Sequence, residues 1–163
     1  KKIVVNKILI GLIAIFLAAC QDSDTKAKEN VIESNKLIGE WNNLSIRNNI
    51  QSKKNLDSSE VFEVNRPEWE DRLRIKPIRT FFRTDSTWNS AHYNLNDSLV
   101  YNPSGKWWLH AEKLVMLQDF PSRDTTTYSL SLKNDTASFE TMLDWDMDGK
   151  KDDLYFGKQV RKK

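Results

Sequence analysis

The chain is poor in the residues that covalent cross-linking and most catalysis require. Cys20 is the single cysteine among 163 residues, which excludes an intramolecular disulfide and a cysteine-rich metal site. Of the five glycines, no two stand as G-x-G, so the chain has no phosphate-cradling or dinucleotide loop. No serine sits in a G-x-S-x-G elbow. The two histidines, His92 and His110, stand on separate strand candidates without the partners that zinc requires. Nothing selects a carboxylate pair such as Glu112 with Asp119. The chain is therefore read as a non-enzyme. Basic residues exceed acidic ones by only two, and no basic face indicates nucleic acid.

Long hydrophobic runs are also missing, with one exception. Residues 1–19, "KKIVVNKILIGLIAIFLAA", hold three lysines, no acid and an apolar run from Ile8 to Ala19. That run is shorter than the ~20 residues that cross a bilayer. A basic start, a short apolar core and small residues at its end make a secretory signal peptide. "LAAC" (Leu17 to Cys20) resembles the lipobox of bacterial lipoproteins. The resemblance implies cleavage before Cys20 and a palmitate-type acyl anchor on it, which places the protein in the cell envelope, on an outer membrane. The alternatives are a plain signal peptide and an uncleaved anchor. Loss of residues 1–19 leaves 22 basic against 23 acidic residues. Residues 20–36 form the lipidated cysteine and a polar tether. Asp22 and Asp24 loosely resemble the acidic surface-export signals of some Bacteroidota lipoproteins.

Residues 37–163 read as one all-β domain. Runs such as "LIGEWNNLSI", "EVFEV", "IRTFFRTDSTW", "KWWLHA", "TTTYSLSLK" and "LYFGKQV" are separated by short turn sequences. Tyr128, Leu130 and Leu132 alternate with Ser129, Ser131 and Lys133, the period of a strand with one buried face. Short links require antiparallel neighbours. About eight to ten strands in this pattern predict a single antiparallel up-and-down barrel or a sandwich. "NRPEWEDRLRI" is the one helical candidate, with Trp69 and Leu73 on a shared face.

Gly39-Glu40-Trp41 at the start of the meander and Arg161 near its end resemble the lipocalin-like (calycin) group. The resemblance implies an up-and-down barrel closed at one end by Trp41, with Arg161 stacked across the indole and Gly39 beside it. It also implies a small apolar ligand in the barrel, for which Phe82, Trp88, Tyr93 and Trp107 are the candidate lining residues. Alternatively, the rings simply fill the barrel, and the protein is an interaction module for an envelope protein or a glycan.

The most polar segment is "DWDMDGKKDD", residues 144–153, with five aspartates. Its first nine residues match the pattern D-x-D-x-D-G-x-x-D of calcium loops. Asp144, Asp146 and Asp148 alternate, Gly149 permits a sharp bend, the Lys150 carbonyl follows, and Asp152 closes the shell. Oxygen-only shells of this kind suit calcium. Tyr155 stands where an EF-hand places glutamate, and strands flank the segment, so it resembles the shorter aspartate loops of extracellular β-proteins. The expected role is structural, and Asp153 is read as an outer-shell or solvent residue. An acidic hairpin tip screened by Lys150 and Lys151 is the alternative.

Overall fold

A computed structural model describes residues 33–51 and 59–163. Cys20, the signal segment and most of the tether lie outside the described residues. Ten strands follow in chain order: β1 (Gly39–Ile50), β2 (Glu60–Asn65), β3 (Arg79–Phe82), β4 (Thr87–Tyr93), β5 (Leu99–Tyr101), β6 (Ser104–His110), β7 (Lys113–Phe120), β8 (Asp124–Lys133), β9 (Thr136–Leu143) and β10 (Asp153–Arg161). One short helix, α1 (Trp69–Leu73), lies between β2 and β3.

Eight of the strands close an antiparallel barrel in the order β1-β3-β4-β6-β7-β8-β9-β10, and β10 returns to pair with β1. The expected up-and-down barrel is therefore the observed fold. Closure leaves these eight strands with no free edge in the ring. The two remaining strands are additions: β2 pairs with the second half of β1, and β5 pairs with β4.

Strand β1 holds the ring together because its two edges are used differently. Along one edge β10 runs from Trp41↔Arg161 to Asn49↔Leu154. On the other, Gly39–Asn42 pair with β3 and Ser45–Ile50 pair with β2. A register shift between Asn43 and Ser45 marks the changeover. The extra residue reverses the parity of the strand: Trp41 and Asn43 are buried before it, Ile46, Asn48 and Ile50 after it.

Helix α1 starts where Pro67 occupies the first turn of a preceding 3-10 segment, a position at which its missing N–H is no loss. It stops at Arg74, whose left-handed φ of 58° allows its N–H to reach the Glu70 carbonyl at 2.9 Å. Trp69 and Leu73 share a face, as expected, and pack with Ile46 and Val64. The larger cluster, around Trp41, Phe82, Trp88, Trp107 and Leu114, occupies the barrel itself. A fully buried indole removes roughly 200 Å² from water, or about 5 kcal/mol at ~25 cal/mol per Å². Among the described residues, the buried side chains lie between Leu37 and Asp153.

The sealed end of the barrel is built on Trp41. Its Nε1 donates to the Leu37 carbonyl at 2.7 Å, and the Arg161 guanidinium lies 4.4 Å from its ring centroid. Arg161 also donates through Nη1 to the Ile38 carbonyl and through Nη2 to the Lys36 carbonyl. Gly39 is required beneath it: at φ +136°, a Cβ there would stand 2.7 Å from Nη1. The spacing of Gly39 and Trp41 thus has a steric reason, the seat of one guanidinium.

Candidate functional site

At the opposite end the barrel is open. A half-open cavity of about 500 Å³ enters between the ends of β3, β4, β9 and β10. Its position follows from the sealed end by strand periodicity. One inward step from the sealing layer, Trp41 gives way to Asn43, Arg161 to Gln159, Phe82 to Thr80 and Trp88 to Ser90. These four polar residues are in register across adjacent strands: Asn43 faces Gln159, and Thr80 faces Ser90. They form the polar wall of the cavity. Gln159 Nε2 donates to Asn43 Oδ1 at 3.0 Å and to Thr80 Oγ1 at 3.2 Å, while the Thr80 and Ser90 hydroxyls are 2.9 Å apart.

The facing wall is mainly apolar, with Gln118 of β7 as a polar member. Met116, Tyr128 and Phe139 project from β7, β8 and β9, and Tyr155 completes it from β10. Tyr128 meets Phe139 edge-on with centroids 6.0 Å apart and Tyr155 at 6.3 Å, the geometry that ring quadrupoles favour. Burial pushes the Tyr128 phenol up to about 12 and raises that of Tyr155 as well, so both are neutral near pH 7. Tyr155 fits because residue 157 is glycine: a Cβ there would lie 2.3 Å from the Tyr155 hydroxyl. At the rim, His92 packs edge-on against Tyr101 with centroids 5.1 Å apart. Burial lowers the His92 pKa below its ordinary 6.5 and favours the uncharged ring.

The four aromatic residues expected in the cavity divide evenly. Phe82 and Trp88 line it. Trp107 lies in the core, edge-on to Phe82 with centroids 5.4 Å apart, and does not line the cavity. Tyr93 sits under the Arg79 guanidinium, 5.2 Å away, also off the cavity. Strand parity accounts for Tyr93: Trp88, Ser90 and His92 line the cavity, so Tyr93 has the opposite orientation.

The acidic segment joins β9 to β10 at this open end, and its Trp145 lines the cavity while packing 5.8 Å from Phe62. Within the segment the aspartates organise the backbone. Asp144 Oδ2 accepts from the Gly149 N–H at 3.1 Å, Asp146 Oδ1 from Asp148 at 3.2 Å, and Asp148 Oδ1 from Lys150 at 2.8 Å. Asp148 Oδ2 also lies 3.4 Å from Lys150 Nζ.

Asp153, expected as an outer-shell or solvent residue, is instead fully buried as the first residue of β10. Its Oδ2 accepts from the Trp145 and Asp146 amides at 2.6 and 3.3 Å, and its Oδ1 from Gln51 at 2.8 Å. The carboxylates brought within 4.8 Å of one another are those of Asp144, Asp146 and Asp153. Asp148 and Asp152 are not in that group. One oxygen of it, Asp144 Oδ1, is shielded from solvent and has no hydrogen-bond partner.

The chain matches no protein-family model and no curated protein.

Proposed function

We propose that this protein is an envelope lipoprotein, anchored to a membrane through an acylated Cys20, whose barrel holds a small, largely apolar molecule at its open end. The observation that carries the reading is the cavity of about 500 Å³, within the usual size of ligand sites and walled on one side by Met116, Tyr128, Phe139 and Tyr155. The sealed end, with Arg161 over Trp41, agrees with the lipocalin-like resemblance of the sequence. An interaction module with a side-chain-filled barrel has no use for such a space, so the cavity favours the binder.

Calcium in the acidic segment is a second part of the proposal. The donor set is all oxygen, and the partnerless Asp144 Oδ1 suits a hard cation. Asp144, Asp146 and Asp153 would hold it, and its role would be to fix the loop that carries Trp145.

Native mass spectrometry of residues 21–163, purified without chelator or detergent, tests the ligand. A co-purified hydrophobe displaced by bulk at the cavity, through Phe139→Trp, supports the reading. A bare mass that takes up no added apolar compound overturns it. Labelled palmitate incorporated by the full chain and lost in Cys20→Ala tests the anchor.

A further inference from the structure

One residue of the cavity wall carries a polar group that packing does not use. Tyr155 stacks edge-on against Tyr128 and packs on the barrel core, contacts that a phenylalanine would make equally well. Its hydroxyl nevertheless has room made for it. Residue 157 is glycine, and the Tyr155 oxygen is the atom nearest to where a Cβ there would stand. Buried tyrosine hydroxyls usually find a hydrogen-bond partner. Among the described residues this one has none, and its oxygen is not one of the partnerless atoms closed to solvent. Tyr155 is half-buried and lines the cavity, so the hydroxyl opens onto it.

The direction of the strand fixes where the hydroxyl lies. β10 runs from Asp153 at the open end to Arg161 at the sealed end. The hydroxyl reaches from Tyr155 to Gly157, further from the mouth than the Cα of its own residue. A phenol oxygen shares its lone pair with the ring, which makes it a better donor than acceptor. Burial and the neighbouring Tyr128 phenol both keep it protonated. Any molecule that fills the cavity expels solvent from this O–H, and one without an acceptor leaves it unpaired.

We propose that the cavity selects apolar molecules bearing an acceptor oxygen, such as a ketone, ester or quinone carbonyl, at the end that enters first, and that the Tyr155 hydroxyl donates to it. The apolar body lies against Met116, Tyr128 and Phe139. This inference rests on the cavity being a ligand site and goes beyond it by naming the polar group of the ligand and the residue that reads it.

Two probes of nearly one shape isolate the carbonyl: 1-acetylpyrene and 1-ethylpyrene. Each is titrated into residues 21–163, which include every described strand, and followed by quenching of tryptophan emission. An isotope-edited infrared spectrum reads the carbonyl stretch of bound acetylpyrene. The stretch is expected at lower wavenumber than in hexane, and Tyr155→Phe returns it to the hexane position. The same change lowers the ratio of ketone to hydrocarbon affinity about three- to tenfold, the loss of roughly one buried hydrogen bond. A stretch as in hexane on the unaltered protein, or a stretch and ratio that Tyr155→Phe leaves unchanged, overturns the role of Tyr155 and leaves the cavity reading standing. Should Tyr155→Phe fail to fold, His92→Gln and Tyr101→Phe take its place. A displaced stretch that survives both supports the wall donor, and one lost in either belongs to the rim and overturns it. Binding of neither probe overturns the ligand site and the inference with it.

Discussion

Arg161, at the end of the last strand, and Trp41, near the start of the first, are paired across β10 and β1 and stacked with 4.4 Å between guanidinium and ring centroid. The contact joins the two ends of the domain, and it works by charge, stacking and two backbone acceptors together. Arg161→Ala removes all three and should lower unfolding free energy by about 2–3 kcal/mol, combining a cation–π contact with charge-assisted hydrogen bonds. Arg161→Lys should recover less than half, since one ammonium cannot span the Ile38 and Lys36 carbonyls while stacking. Gly39→Ala should act on the same element, through its Cβ and its positive φ. Urea denaturation with an unchanged slope is the measurement; an Arg161→Ala variant as stable as the parent refutes this account of the sealed end.

Gly157 and Tyr155 share a face of β10, and the phenol occupies the space a side chain at 157 would need. Gly157→Ala should destabilise by about 1–3 kcal/mol, the usual effect of overpacking. Removing the hydroxyl with Tyr155→Phe should relieve only part of it. The ring carbons Cζ and Cε1 remain at 2.8 and 3.0 Å from the new methyl group. A double-mutant cycle reads this directly; strict additivity of the two changes contradicts it.

Asp153 should be the most sensitive aspartate of its segment. Asp153→Ala leaves the amides of Gln51, Trp145 and Asp146 without their acceptor, at about 1–3 kcal/mol for each one that stays buried. Asp152→Ala should cost clearly less. Thermal melts of the two variants rank them, and the reverse order would show that the buried carboxylate is not what organises the loop.

If calcium binds the acidic segment, it stabilises by mass action. At a hundredfold excess over its dissociation constant the gain is about 2.7 kcal/mol, reached near 10 mM for a site of ~10⁻⁴ M. The melting temperature of the parent should rise with calcium, and that of the Asp144→Asn, Asp146→Asn double variant should not. Equal behaviour of the two leaves an acidic hairpin end held by its own backbone hydrogen bonds and Lys150.

His92 sets a pH dependence at the rim. Its folded pKa lies below the ordinary 6.5 because burial disfavours the cation. Between these two values the unfolded chain binds more protons than the folded one, so stability is full above pH 6.5 and falls as pH drops toward the folded value. His92→Gln should flatten that decline. A titration of melting temperature from pH 7.5 to 5 checks it, and an identical slope in the variant assigns the effect elsewhere.

The sequence made the strands legible because alternation and short polar links are local signals. Trp41 and Arg161 were legible through the spacing of Gly39 with Trp41 and a late arginine. The polar wall was not, although its signal existed: each member stands two residues from a sealing residue or its neighbour, as Asn43 does from Trp41 and Ser90 from Trp88. Polar side chains on an inward face look like solvent-facing ones until the register across strands is known. The same parity would have turned Tyr93 away from the cavity. Asp153 escaped for another reason. A spacing pattern counts residues along the loop, whereas the choice between Asp152 and Asp153 depends on where β10 begins, and the first residue of that strand points inward.

The chain enters β1 and leaves β10 at the same end of the barrel, beside Trp41 and Arg161, whereas the cavity opens at the other. Held by either terminus, the domain therefore stands like a cup on its stem, rim outward. If the cavity takes a ligand as proposed, an attachment at either terminus of the described barrel leaves its mouth uncovered.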